Sequence, residues 1–294
     1  MDQAERLRAI IKQQNQVNTS NARIITVTSG KGGVGKSSVS INLALQFRKQ
    51  GKRVIIFDAD FGLANIEVMF GVIPKYTLAD LMFKGKELKD IITEGPNGVQ
   101  FVSGGSGIAR LVNLDREQVK RILYKLSELE NLADVIIIDT GAGISQSVLE
   151  FAAASPEILL VTTPEPTSIT DSYALLKALA MNPDFDRSAS KVLLVANKVT
   201  SATESRNIYE KLSAVVGRFL NIRLEYLGAV PQDSNITKAI MKQKPVSLEY
   251  PNAIASKAFA SMEQRLSNGE AFVPHQKKGV SRFFSSVFGF GKRF

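Results

Sequence analysis

The stretch Ser29-Gly30-Lys31-Gly32-Gly33-Val34-Gly35-Lys36-Ser37-Ser38 limits the folds open to this chain more than any other. An apolar, β-branched run, Ile24-Ile25-Thr26-Val27-Thr28, leads into it, and a helical pattern through Val39, Leu43, Ala44 and Phe47 leads out. Strand, glycine loop and helix in that order are the setting of a phosphate-binding loop. Gly30, four residues, then Gly35-Lys36-Ser37 fits the P-loop spacing in full. The glycines let backbone N–H groups of Gly32, Gly33, Val34 and Gly35 close around phosphate oxygens, and the helix N-terminus adds its positive dipole end. In such a loop Lys36 reaches the β- and γ-phosphates, and the Ser37 hydroxyl, next to Ser38, ligates Mg²⁺.

The rest of the chain reads as βα units. Apolar runs at Val54–Phe57, Val135–Ile138, Ile158–Val161 and Val192–Ala196 suit strands buried on both faces of a parallel sheet. Val99–Val102 and Glu225–Val230 add two more strands. Helical patterns lie near 36–49, 115–130, 144–154, 167–181, 203–219 and 252–267, with Asn252 placed to cap the last. Alternating strands and helices predict an α/β fold with a doubly wound, mostly parallel sheet, and such folds bind ligands at the C-terminal strand ends. The acids stand there. Asp58-Ala59-Asp60-Phe61-Gly62 follows one strand, and Asp139-Thr140-Gly141-Ala142-Gly143 follows Val135-Ile136-Ile137-Ile138. An acid ending an apolar strand near a P-loop can hold Mg²⁺, which assigns Asp139 to the metal beside Ser37.

Composition narrows the chemistry. The 294 residues include no cysteine, which excludes disulfides, thiolate zinc sites and cysteine-held iron–sulfur clusters. No apolar run reaches the roughly 18 residues a membrane span needs, and no secretory segment opens the chain. The net charge is +9, and Lys277, Lys278, Arg282, Lys292 and Arg293 put five positive charges into residues 275–294, which hold no acid. That tail therefore suits an anionic surface. Its Val280, Phe283, Phe284, Val287 and Phe288 recur at helical spacing, which predicts an interfacial membrane helix. The alternative is a last helix buried in the chain's own core. The polar approach Pro274-His275-Gln276-Lys277-Lys278-Gly279 and the neighbouring cations favour the membrane.

Lys31, directly after the first glycine, gives the loop a second lysine. On that feature the loop resembles the deviant-Walker ATPases of the MinD/ParA group, whose loop reads KGGxGK[ST]. The resemblance runs from Arg23 to Ser267. It implies an ATPase that binds ATP or ADP with Mg²⁺ and dimerises on ATP, Lys31 reaching the partner's phosphates. It also implies catalysis by Lys31, Lys36 and Asp60, with Asp60 orienting water and Asp58 supporting the phosphate and metal region. Glu165, in Thr163-Pro164-Glu165-Pro166-Thr167, matches a dimer segment in which the acid nears the partner's nucleotide, and Asp171 matches a partner-binding face. Asn197-Lys198 and Pro231-Gln232-Asp233 match segments that hold adenine. Asn197-Lys198 is followed by Val199-Thr200, so the guanine-reading Asn-Lys-x-Asp string is missing. Family members often carry proline where this chain has Gly141, which implies a looser switch.

Residues 2–12 predict a short amphipathic helix with Ala4, Leu7, Ile10 and Ile11 on one face, followed by a polar linker. Asp2-Gln3-Ala4-x-x-Leu7-Arg8 resembles the activator segment of the flagellar branch of the family, the FlhG group. There it stimulates the SRP-type GTPase FlhF, which makes Gln3 and Leu7 partner-binding residues. The expected organisation is an activator helix and linker over 1–22, an ATPase domain over 23–270 and a linker with membrane-targeting helix over 271–294. The expected role is regulation of flagellar placement or number from the inner face of the cell membrane, through FlhF and basal-body components and without sequence-specific nucleic acid. A division-site MinD, a DNA-partition ParA and a nucleotide-gated scaffold with little turnover are the alternatives.

Overall fold

The computed structural model describes residues 22–62, 65–105, 116–268 and 279–288. The expected N-terminal helix, with Gln3 and Leu7, lies outside them. The strands are β1 (Arg23–Ser29), β2 (Val54–Ala59), β3 (Ile92–Glu94), β4 (Gln100–Val102), β5 (Val135–Ala142), β6 (Glu157–Thr162), β7 (Lys191–Val199) and β8 (Leu224–Pro231). Among the described residues they form one sheet in the order β3-β4-β2-β5-β1-β6-β7-β8. Every neighbouring pair is parallel except β3 with β4.

Alternation along the strands sorts the core into layers. Ile25, Val27, Ile56, Ile137, Leu159 and Leu193 face the helices Lys36–Lys49 and Ile254–Asn268. Ile24, Ile55, Phe57, Ile136 and Ile138 point the other way. Ile158, Leu160, Val192 and Leu194 share that second face and are covered by Gln146–Ala154, Pro166–Met181 and Ala202–Leu220. Strands buried on both faces are the reason these segments read as unbroken apolar runs. Arg23 ties the layers at the sheet's lower end, with a two-pronged ion pair to Glu157 at 2.7 Å and a bond to the Leu266 carbonyl at 2.8 Å.

The expected strands are all present, extended by a residue or more in most cases. The long helices fall at their expected places, but the pattern at 115–130 divides into Arg116–Ser127 and Leu129–Leu132. The short helices Asn65–Phe70, Leu78–Phe83, Leu88–Ile91, Ser234–Met241 and Val246–Glu249 were not anticipated, nor was β3. Segments of four to eight residues carry too few apolar repeats to register as periodic. Capping boxes, Thr77 with Asp80 and Glu87 with Asp90, were the available signal for two of them. The Asn252 cap is corrected: the helix begins at Ile254, and the Asp233 carboxylate accepts the Ala255 N–H at 3.2 Å.

The tail is the larger difference. Helix Val280–Val287 is docked on its own domain, between Arg116–Ser127 and Gln146–Ala154. Val280, Phe283, Phe284 and Val287, expected to face a membrane, are turned inward and buried, and Phe288 is partly buried beside them. The helix joins the apolar layer on that side of the sheet, with Phe284 against Phe57 and Phe283 against Phe151. Among the described residues no helix is long and apolar enough to cross a membrane.

Candidate active site

The glycine loop turns from β1 into the helix Lys36–Lys49 at the C-terminal edge of the sheet. Gly33 and Gly35 take positive φ, 74° and 97°, which side chains resist. Gly35 has a second constraint, because a Cβ there would overlap the Asn197 side-chain amide. A Cβ at Gly30 would overlap the main-chain carbonyl of Asp171, so the helix Pro166–Met181 lies directly against the loop.

Asn197 and Lys198 brace the loop. Asn197 Nδ2 donates to the Val34 carbonyl at 2.6 Å, and its Oδ1 accepts the Lys198 N–H at 2.9 Å. Lys198 sits at φ 58° and its Nζ donates to the Gly33 carbonyl at 2.8 Å. Both residues were expected to face adenine. Their present bonds hold the phosphate loop, which leaves Asn197 one amide hydrogen and one lone pair for a base. The carboxylate of Asp233, expected beside adenine, has two main-chain partners here. Its Oδ1 accepts the Asn235 N–H at 2.9 Å and its Oδ2 the Ala255 N–H, so its carboxylate serves two helix starts. Gln232 next to it is exposed, its N–H bonded to the Val199 carbonyl at 2.8 Å, and Pro231 ends β8.

The acids come together through strand register. Asp58 and Asp139 are direct partners across β2 and β5. Ser40 Oγ donates to Asp139 Oδ1 at 2.8 Å, while Asp139 Oδ2 and Asp58 Oδ2 are buried without a protein partner. Burial, reinforced by the charge of Asp139, pushes the Asp58 carboxyl up to about 8. Burial likewise raises Asp139 to about 6, against the Ser37 and Ser40 hydroxyls and Lys36, which favour its charged form. Lys36 is buried, and desolvation lowers its pKa while Asp139 and Asp60 oppose that shift. Asp60 turns back on its own segment: Oδ1 accepts the Gly62 N–H at 3.4 Å and Oδ2 the Asn65 amide at 3.2 Å. Gly141 lies inside β5 rather than in a loose switch, and a Cβ there would come 3.4 Å from Asp60 Oδ1.

Lys31 stands at the mouth. Its Nζ bonds Glu165 Oε2 at 2.6 Å and Thr167 Oγ1 at 2.7 Å, so the two residues expected to act on a partner's nucleotide face each other within one chain. Sequence reasoning missed Ser40, which orients Asp139, and Asn65, which orients Asp60. Ser40 stands one helical turn after Lys36, a spacing that could have placed it beneath the same acid.

The orphaned oxygens of Asp139 and Asp58, beside the Ser37 hydroxyl, are the hard oxygen donors that Mg²⁺ takes. Among the described residues no cluster of three acids or histidines could hold a metal alone. The fit is thus to a cation that shares its ligands with phosphates and water.

A family model described as NUBPL iron-transfer P-loop NTPase, ParA, matches residues 20–267. The antiactivator FleN of Pseudomonas aeruginosa is 41% identical over 262 residues, 89% of this chain and 91% of that protein. The flagellum site-determining protein YlxH of Helicobacter pylori is 34% identical over 296 residues, 97% of this chain and 98% of that one. Among solved structures, the septum site-determining protein MinD of Pyrococcus horikoshii, complexed with Mg-ADP, superposes with a TM-score of 0.66. At 22% identity, with 84% of this chain and 96% of that one covered, it establishes the fold.

Asn197→Ala removes the brace on Val34 and opens space beneath Gly35. Nucleotide affinity is expected to fall about tenfold or more, the cost of one buried hydrogen bond and the void it leaves, with the fold intact. Titration with a fluorescent ADP analogue measures this.

A carboxyl that binds its proton more tightly in the fold than in the unfolded chain stabilises the fold only while protonated. The Asp58 contribution is therefore lost as pH rises from 3.8, its ordinary value, to about 8. The melting temperature of the nucleotide-free protein should fall between about pH 5 and about pH 8, and Asp58→Asn should flatten the slope.

Proposed function

The chain belongs to the ParA/MinD family of P-loop NTPases and is an ATPase of that type. From that premise we propose that it regulates the number or placement of flagella. The observation that carries the reading is the site itself, a full glycine loop over Lys36, Asp60 and Asp139, in a chain similar to FleN and YlxH along most of its length. Those two proteins are named for antiactivation and for determining a flagellar site.

Each residue has a task in that reading. The loop amides and Lys36 hold the phosphates, and Asp60 orients the attacking water once it leaves its own turn. Ser37 and Asp139, with Asp58 behind them, hold Mg²⁺. When bound, that ion neutralises charge on the β- and γ-phosphates. Asn197, Lys198 and the Pro231-Gln232 segment flank the base. ATP closes two chains into a homodimer, in which Lys31 exchanges Glu165 for the partner's phosphates and Asp171 belongs to a partner-binding face. Contact with the membrane requires the helix Val280–Val287 to leave its groove. Two tails in one dimer then bind with avidity ~10²–10⁴ above that of one.

Lys36→Ala should abolish nucleotide binding, because the phosphates lose their buried cation. Asp60→Ala should bind ATP, stay dimeric and not turn over. Gel filtration with ATP and a phosphate-release assay separate the two, and flagellar counts in cells carrying each variant test the biological role. Normal counts with Lys36→Ala would overturn it.

The activator segment is part of the same proposal, by its resemblance to the FlhG group. A peptide of residues 1–20 should stimulate the GTPase of FlhF, and Gln3→Ala should lose that stimulation while binding through Leu7 and Ile10 persists. Equal stimulation by the variant peptide would remove Gln3 from the FlhF site.

A further inference from the structure

The docked helix and the Asp60 segment meet in one aromatic cluster. Phe57, the residue before Asp58, has its ring 5.2 Å from that of Phe284. Phe61, the residue after Asp60, has its ring 6.0 Å from that of Phe151. Phe151 lies 6.1 Å from Phe57 and 6.1 Å from Phe283. Phe283 and Phe284 pack edge to face at 5.1 Å. Each ring that flanks the two acids thus touches the C-terminal helix, directly or through Phe151. Gly104 lies close to Phe61, for a Cβ there would stand 2.7 Å from the ring and 2.6 Å from the Asp58 carbonyl.

We propose that Phe151 is a positioning residue for hydrolysis: it sets where Phe61, and with it Asp60, stands according to whether the helix Val280–Val287 is docked. The proposal rests on the reading of Asp60 as the residue that orients water. The physical ground is close packing. Phe151 is 1% exposed, and a ring in a dense core does not hold its place when a neighbouring ring is withdrawn. Losing Phe283 and Phe284 leaves Phe151 with a void on one side. It relaxes into that void, and Phe61 gains the space that Phe151 gives up. The Asp60 N–H is fixed to Asp58 Oδ1 at 3.0 Å, but the Asp60 carboxylate is held only by two long hydrogen bonds, which yield more readily than the short bonds that brace the phosphate loop. The coupling is reciprocal: movement of the Asp60 segment shifts the docking equilibrium by the same factor.

The chain has no tryptophan, so Phe61→Trp places a single indole at the end of the relay. In the full-length protein without nucleotide, adding Phe284→Glu expels the helix and should shift indole emission to the red and raise quenching by acrylamide. Phe283→Leu, a milder change, should move the signal the same way by less. Phe151→Leu should erase the response to Phe284→Glu, with far-ultraviolet circular dichroism unchanged. In chains that keep Phe61, Phe284→Glu should change kcat for ATP about fivefold or more while KM stays within about twofold, and Phe151→Leu should remove that sensitivity. An indole that does not respond to Phe284→Glu, or that responds in full when Phe151 is Leu, overturns the proposal. A protein that binds ATP without turnover refutes the hydrolytic role of Asp60, and the fluorescence arm then decides the relay alone.

Discussion

Two carboxylates held side by side at the buried ends of adjacent strands are the constraint on which this molecule turns. Parallel register leaves no choice in the matter: once β2 and β5 pair, Asp58 and Asp139 are neighbours. Neither is solvated, and each has an oxygen without a protein partner. Such a pair is stable only with protons, with cations, or with both. Burial lowers the pKa of the Lys36 ammonium while Asp139 and Asp60 oppose that shift, and the free acid oxygens suit a cation that would share its ligands with phosphates. The same sheet that supplies the core therefore supplies the demand for the ligand.

Around those acids the site has a stiff wall and a compliant one. Asn197 and Lys198 grip the loop carbonyls with bonds of 2.6 and 2.8 Å, and Asp171 presses its main chain against Gly30. No side chain fits at Gly30 or Gly35 without moving that wall. The opposite wall is the segment after Asp60, held by weaker bonds and by ring contacts. Binding energy can thus be spent against a fixed cradle, while the group that acts on water sits on the part that moves.

The glycine loop and the long strands could be read directly, because full P-loop spacing and two-sided burial leave strong marks in sequence. So could Asp58, Asp60 and Asp139, since a polar residue ending an apolar strand has little other reason to be there. What escaped was partner choice. Asn197 can serve a base edge or a loop carbonyl with the same amide, and nothing in its neighbours reveals the competitor 163 residues away. Asp233 can cap a helix as readily as line a pocket. The tail is ambiguous in a different way. An amphipathic face with five apolar residues looks the same whether a bilayer or an uncovered strip of sheet receives it. The decisive fact, that Phe57 and Phe151 leave room for the rings of Phe283 and Phe284, is a property of the assembled layers and not of residues 280–288.

The position of that helix has a consequence for how the chain is made. The last of the described helices packs on the second strand, Phe284 against Phe57. During synthesis this helix emerges only after the strands and helices it packs against. Until it docks, Phe57 lacks the ring of Phe284, and apolar surface left open in this way is where folding intermediates aggregate. The contact joins two residues far apart in sequence, and such contacts form slowly. A chain still being made and one that has released its tail therefore expose the same aromatic rings, and both carry the same aggregation hazard.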